Sequence, residues 1–117
     1  ADFGGMHLTN FPVEVCAHVE LADLSLADNE MTMLPGSIQA LINLTSLNVD
    51  NNKLKSLHPA IRQLASLRYF SVEHNQLESL IPVIGKLTEL RVLKLSSNKL
   101  KTLPATLGAL GQLRELQ

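Results

Sequence analysis

Leucine recurs in this chain with a period of 23 residues, and this repeat limits the possible folds more than any other feature. The leucines that open the successive units are Leu21, Leu44, Leu67, Leu90 and Leu113. Leucine makes up 24 of the 117 residues, whereas an irregular core usually mixes apolar side chains of different shapes. The chain is therefore predicted to stack copies of one structural unit.

The repeat predicts a single domain, residues 1–117, with four full units and a partial unit at each end. The full units are residues 21–43, 44–66, 67–89 and 90–112. Residues 1–20 fit the same frame as a partial or capping repeat, and residues 113–117 begin a further repeat. Repeat arrays usually need polar caps, and no cap is evident where residues 113–117 begin a further repeat. We therefore expect this chain to be an excerpt of a larger protein that self-associates through uncapped ends.

Each unit contains a strand pattern followed by a turn pattern. Leu93 and Leu95 flank Lys94 with the period of two expected for a short strand that buries one face. One strand per 23 residues leaves too little chain for hairpins, so successive strands should be parallel. The spacing of three from Ile38 to Leu41 and Leu44 favours a short helical or 3₁₀ turn. The predicted fold class is an α/β solenoid, a curved horseshoe with strands on the concave face and these turns on the convex face.

An asparagine follows each predicted strand in strict register. Its amide can donate to and accept from backbone groups of its own turn and the neighbouring one. Stacked asparagines are therefore predicted to form a structural ladder that pairs buried loop backbone. The ladder residues are Asn29, Asn52, Asn75 and Asn98.

These positions resemble the leucine-rich repeat family over essentially the whole chain. The pattern L-x-x-L-x-L-x-x-N-x-L is clearest at residues 90–100. The ending L-P-x-x-I-x-x-L is similar to that of intracellular Ras-binding and cell-polarity scaffold proteins. The resemblance implies a non-catalytic scaffold module that binds a protein partner, whose identity it leaves open.

Motifs of catalysis and of cofactor or metal binding are missing from the sequence. It contains no phosphate-binding loop, dinucleotide fingerprint, zinc-protease motif or nucleophile elbow. The four histidines lie at different repeat positions: His7, His18, His58 and His74. Cys16 is interpreted as a plain thiol. We therefore predict no enzyme activity, no cofactor and no metal.

The net charge of −1 and the short apolar runs bear on partners other than proteins. A chain of this charge does not favour binding to nucleic acid. Its apolar runs are also too short for membrane insertion as a helix.

The outward-facing strand positions supply the candidate protein-binding site. Side chains alternate across a strand, so residues between and around the strand leucines should line the concave face. Tyr69 and Val92 fall side by side there, and an exposed tyrosine beside an apolar residue is a typical binding anchor. The predicted protein-binding residues are Tyr69, Val92, Lys94, Glu73, His74 and Asp50.

A column of arginines provides a second hypothesis. Arg68, Arg91 and Arg114 each follow the first leucine of a unit. A row of guanidinium groups indicates an acidic or phosphorylated partner. Alternatively, the row is a solvated edge that Glu89 and Glu115 neutralise.

The cellular location and the type of larger protein to which this module belongs leave alternatives open. Paired cysteines, typical of capped extracellular repeats, are absent, so the prediction is an intracellular, cytoplasmic protein. The first alternative is a regulatory or substrate-recognition segment of a larger enzyme, such as a kinase, ubiquitin ligase or nuclease. The second is an ectodomain of a secreted or immune receptor, for which the glycosylation sequon at Asn43 would be relevant.

Overall fold

The structure is a computed structural model that describes residues 1–116, apart from the side chain of Glu115. Gln117, the last residue of the predicted 113–117 segment, lies outside the described residues. Within residues 1–116, five short strands form one parallel sheet in chain order. The strands are β1 (Asp23–Ser25), β2 (Ser46–Asn48), β3 (Tyr69–Ser71), β4 (Val92–Lys94) and β5 (Glu115–Leu116).

The sheet register repeats the sequence period. Leu24 pairs with Leu47, Leu47 pairs with Phe70, and Phe70 pairs with Leu93, each 23 residues further along the chain. Corresponding residues of successive units therefore stack directly on one another. This arrangement confirms the predicted leucine-rich repeat solenoid with parallel strands.

Short 3₁₀ helices lie on the other side of the core. Among the described residues they are Val13–Ala17, Gly36–Ala40, Pro59–Gln63, Pro82–Lys86 and Ala105–Ala109. Segments of five residues are too short to stabilise an α-helix. Each is closed by an i→i+3 bond, as from Leu41 N to Ile38 O. The sequence left helical and 3₁₀ turns open, and the structure adopts the 3₁₀ form.

Proline and histidine define where these helices begin. Pro59 and Pro82 occupy the first helical turn, where a missing N–H costs no intrahelical bond. Pro35 instead precedes its helix as the N-cap residue. His58 caps the helix Pro59–Gln63 because its Nδ1 accepts a 2.9 Å hydrogen bond from Ala60 N.

The core lies between the sheet and the 3₁₀ layer. Most of the repeated leucines are buried, although Leu103 and Leu116 are exposed, and one continuous apolar cluster extends from Phe11 to Leu110. Phe70 takes a leucine position in β3 and is itself fully buried. Each unit buries its apolar side chains against its neighbours, as expected of a solenoid.

The repeated asparagines bond to the backbone of two adjacent units. Asn52 Nδ2 lies within 3.0–3.1 Å of the carbonyl oxygens of Leu26, Val49 and Asp50. Its Oδ1 accepts from Met31 N at 3.0 Å. The same set of contacts recurs in the other units, at Asn29, Asn75 and Asn98.

The residue before each asparagine adopts a left-handed backbone conformation. The φ angles are 58° at Asp28, 56° at Asn51, 55° at His74 and 60° at Ser97. Aspartate and asparagine tolerate this region better than most side chains do. The turn therefore bends the chain inward at the same place in every unit, so that the following asparagine points into the core.

Candidate protein-binding face

Three of the predicted binding residues form a contiguous group on the outward side of β3 and β4. Tyr69 and Val92 are direct partners in the sheet register, as are Ser71 and Lys94. Tyr69, Val92 and Lys94 are each half-buried. The Lys94 Nζ lies 5.8 Å from the centre of the Tyr69 ring, within range of a cation–π interaction. We call these three residues the Tyr69 patch.

The Tyr69 patch combines three kinds of chemistry on a fixed backbone. The tyrosine presents an aromatic ring and a hydroxyl, the valine adds apolar surface, and the lysine adds a positive charge. Parallel strand pairing holds both strands in one register. A partner that docks here would therefore meet a surface whose backbone is already ordered, which lowers the entropy cost of binding.

Asp50, another predicted binding residue, is engaged within the molecule. Its Oδ1 accepts hydrogen bonds from the Ser71 hydroxyl at 2.6 Å and from Glu73 N at 2.7 Å. Ser71 is fully buried although it lies at an outward strand position. Asp50 thus links β3 and the turn after it to the preceding unit, and any role in binding stays a prediction.

Glu73 and His74 lie at the end of β3, where the chain leaves the sheet. Glu73 is half-buried and His74 is exposed. The backbone of His74 is fixed, since its N–H donates to Ser96 O at 3.0 Å. Both residues therefore occupy the margin of the concave face, and their participation in binding stays a prediction.

The arginine column follows a ladder of backbone hydrogen bonds. Arg91 N donates to Arg68 O at 2.8 Å, and Arg114 N donates to Arg91 O at 2.7 Å. The sequence allowed Glu89 and Glu115 to neutralise this row. The described side chains instead place Lys53 Nζ 3.8 Å from a Glu30 carboxylate oxygen and His18 Nδ1 3.8 Å from a Glu20 carboxylate oxygen. Glu89 is thus not paired with an arginine, and the side chain of Glu115 lies outside the description.

The other chemically interesting residues do not assemble into a site in the described part of the chain. Cys16 is half-buried in the helix Val13–Ala17 and forms no disulfide. Among residues 1–116, leaving aside the side chain of Glu115, His, Cys, Asp and Glu side chains form no group of three that could hold a metal ion. The same residues contain no helix with the length and apolar character needed to cross a bilayer.

Sequence reasoning missed the structural role of the Asp50–Ser71 pair. The two residues are 21 positions apart, so a search for the 23-residue period does not connect them. The sequence nevertheless contains a signal for this pair. Ser71 and Glu73 follow the strand positions of Asn48 and Asp50 by one unit, so a short hydroxyl side chain there can reach back to Asp50.

Comparison with known proteins identifies the family. The model described as "Leucine rich repeat" matches residues 19–77, and a second leucine-rich repeat model matches residues 89–110. The chain therefore belongs to the leucine-rich repeat family. Domains of this family generally mediate protein–protein interaction and are typically not enzymes.

A solved leucine-rich repeat protein from Leptospira interrogans is similar in structure. The two share 34% sequence identity with a TM-score of 0.88, and the match covers 95% of this chain. This chain spans 30% of the length of that protein. A search of curated proteins found no match.

Proposed function

We propose that this chain is a non-catalytic interaction module that presents its concave face, centred on the Tyr69 patch, to a protein partner. The observation that carries the proposal is the contiguity of Tyr69, Val92 and Lys94 on two paired strands. Aromatic residues of this kind are enriched among the side chains that dominate binding energies. Family membership supports the same general role.

The physical basis of the proposed binding is partial exposure on a rigid support. A fully buried tyrosine would be unavailable, and a mobile one would lose rotamer freedom on binding. Tyr69 is half-buried, while the core residue beside it, Phe70, is completely buried. Truncating the tyrosine ring would therefore remove contact surface without opening the core.

A scaffold role in an intracellular, cytoplasmic setting is part of this proposal. It depends on the resemblance of the L-P repeat ending to that of polarity scaffolds. Localisation of a tagged full-length protein by microscopy would test the setting. Secretion of the protein with a glycan on Asn43 would instead favour the receptor-ectodomain alternative.

Affinity capture with matched variants tests the proposed binding face. The bait is wild-type protein, a Tyr69→Ala/Val92→Ser variant, or an Arg62→Ala control on the exposed convex side. Quantitative mass spectrometry should find proteins retained by wild type and the control but lost with the concave variant. If these proteins are instead lost only with Arg62→Ala, the interface lies on the convex side. Thermal melts verify that all three baits are folded.

A further inference from the structure

Charged residues are strongly segregated along the solenoid. Residues 1–50 contain seven acidic residues and no lysine or arginine, whereas residues 51–117 contain all ten basic residues and four acidic ones. The near-neutral total charge therefore conceals an acidic half and a basic half. Since successive units stack in chain order, this segregation becomes a separation of charge along the molecule.

Three of the basic residues occupy one repeat position in consecutive units and form a column, which we call the arginine edge: Arg68, Arg91 and Arg114. Their backbones are joined in consecutive hydrogen bonds of 2.7–2.8 Å. Neighbouring parallel strands lie about 4.8 Å apart, so the three side chains start within about 10 Å of one another. Like charges at this spacing repel, and a bound anion would relieve that repulsion.

The guanidinium groups of the arginine edge retain hydrogen-bonding capacity. None forms an ion pair within 4.0 Å with a described side chain. Arg91 is half-buried, and its Nε is covered but has no hydrogen-bond partner among the described residues. Guanidinium groups bind carboxylates through two parallel N–H donors, so a carboxylate ligand would pair with guanidinium donors of this row other than the covered Arg91 Nε.

An open depression beside Arg68 provides room for a ligand. It has a volume of about 500 Å³ and is lined by Asn43, Thr45, Ala65, Ser66, Arg68 and Glu89. Apart from Arg68 and Glu89 these side chains are small and uncharged. A peptide backbone can approach Arg68 here without displacing a large side chain, but its carboxylates must lie on the Arg68 side, because Glu89 repels them.

The acidic first half of the chain limits the length of an anion that the arginine edge can bind. Asp23 and Glu20 precede the arginine edge at neighbouring repeat positions, about two units before Arg68. Two strand spacings are about 10 Å, which is close to the screening length of about 8–10 Å at ordinary ionic strength. A long polyanion running along the solenoid would meet this acidic surface, whereas a short acidic segment would not.

We propose that the arginine edge binds a short acidic segment of a partner protein in an extended conformation. Alternate residues of an extended peptide are about 6.6–6.8 Å apart, a distance that flexible arginine side chains of adjacent units can match. Two or three carboxylates would pair with successive guanidinium groups. Tyr69 does not line the depression beside Arg68, although Arg68 and Arg91 directly precede Tyr69 and Val92 in the chain.

Fluorescence anisotropy with a labelled tetraglutamate peptide tests the arginine edge. The binding variant is Arg68→Gln/Arg91→Gln. The matched control, Arg62→Gln/Lys86→Gln, removes two positive charges from exposed convex positions in the same half of the chain. We expect at least about tenfold weaker binding for the edge variant, since bonds to charged groups are lost. The control should change binding less than about twofold.

Salt and a second probe decide between this proposal and general charge attraction. Wild-type affinity for the peptide should fall as salt rises from low to about 150 mM. A labelled hexathymidylate should bind more weakly than the peptide, because its longer chain extends towards the acidic surface at Asp23 and Glu20. Equal losses in the edge and control variants, no peptide binding at low salt, or tighter binding of the oligonucleotide would each overturn the proposal. Thermal melts establish that both variants are folded.

Discussion

The buried Ser71 hydroxyl donates a 2.6 Å hydrogen bond to Asp50 Oδ1, joining two adjacent units of the solenoid. The same carboxylate oxygen accepts from Glu73 N at 2.7 Å. A buried hydroxyl and a backbone N–H therefore depend on one acidic side chain. Asp50 stabilises the turn that leads from β3 away from the concave face.

Replacing Asp50 should therefore reduce stability. Asp50→Ala is expected to lower the free energy of unfolding by about 1–3 kcal/mol, because it leaves the Ser71 hydroxyl unpaired. Ser71→Ala should cost less, and the two effects should couple by about 0.5–3 kcal/mol in a double-mutant cycle. Urea denaturation of the wild type, the two single variants and the double variant gives the four free energies of unfolding. Simple additivity of the two substitutions would show that the hydrogen bond contributes nothing to stability.

The amide of Asn52 should be needed as both a donor and an acceptor. Asn52→Ala removes the amide that bonds to four backbone groups. Each buried group left unpaired costs about 1–3 kcal/mol of stability. Asn52→Asp keeps the shape but directs a carboxylate oxygen at three carbonyl oxygens. We expect both variants to melt at markedly lower temperature than wild type, with the exposed Asn10→Ala as a control. Wild-type melting of Asn52→Asp would contradict the donor role.

Gly85 and Gly108 occupy the same repeat position but should respond differently to alanine. A Cβ at Gly85 would lie 2.6 Å from Thr106 O and 2.8 Å from Thr106 Cβ, whereas a Cβ at Gly108 has no neighbour within 4 Å. Gly85→Ala should destabilise the protein by about 1–3 kcal/mol through overpacking. Gly108→Ala should be neutral or stabilise by about 0.4–1 kcal/mol, because it restricts the unfolded chain.

Calorimetric or chemical unfolding of both glycine variants gives the comparison. Equal effects of the two substitutions would mean that the close approach between Gly85 and Thr106 relaxes without cost.

The sequence predicts features that recur in every unit and misses features that occur once. The leucine period gives the parallel strands and the buried faces, and the spacing of three predicts the short turns. The Asp50–Ser71 pair and the close packing at Gly85 involve single units, so no period indicates them. The left-handed turn does recur, but four different residue types occupy it, from Asp28 to Ser97. Backbone geometry is shared there without a shared side chain.

The candidate binding site likewise combines features that the repeat predicts with features that it does not. Strand register follows from the repeat, so the sequence could place Tyr69 next to Val92. It could not predict that Asp50 bonds to Ser71, since that depends on side-chain reach between units. Charge segregation is readable from the sequence, but its consequence for the arginine edge depends on which side chains pair in three dimensions.

Calorimetric titration of a partner recovered by affinity capture tests the central claim, that the concave face is the protein-binding face. Tyr69→Ala should weaken binding by about 1–3 kcal/mol, or roughly five- to 150-fold in Kd. Its melting temperature should stay near that of wild type, because the ring lies outside the leucine core. The convex control Arg62→Ala should bind like wild type. The reverse ranking, with binding kept by Tyr69→Ala and lost with Arg62→Ala, would contradict the claim.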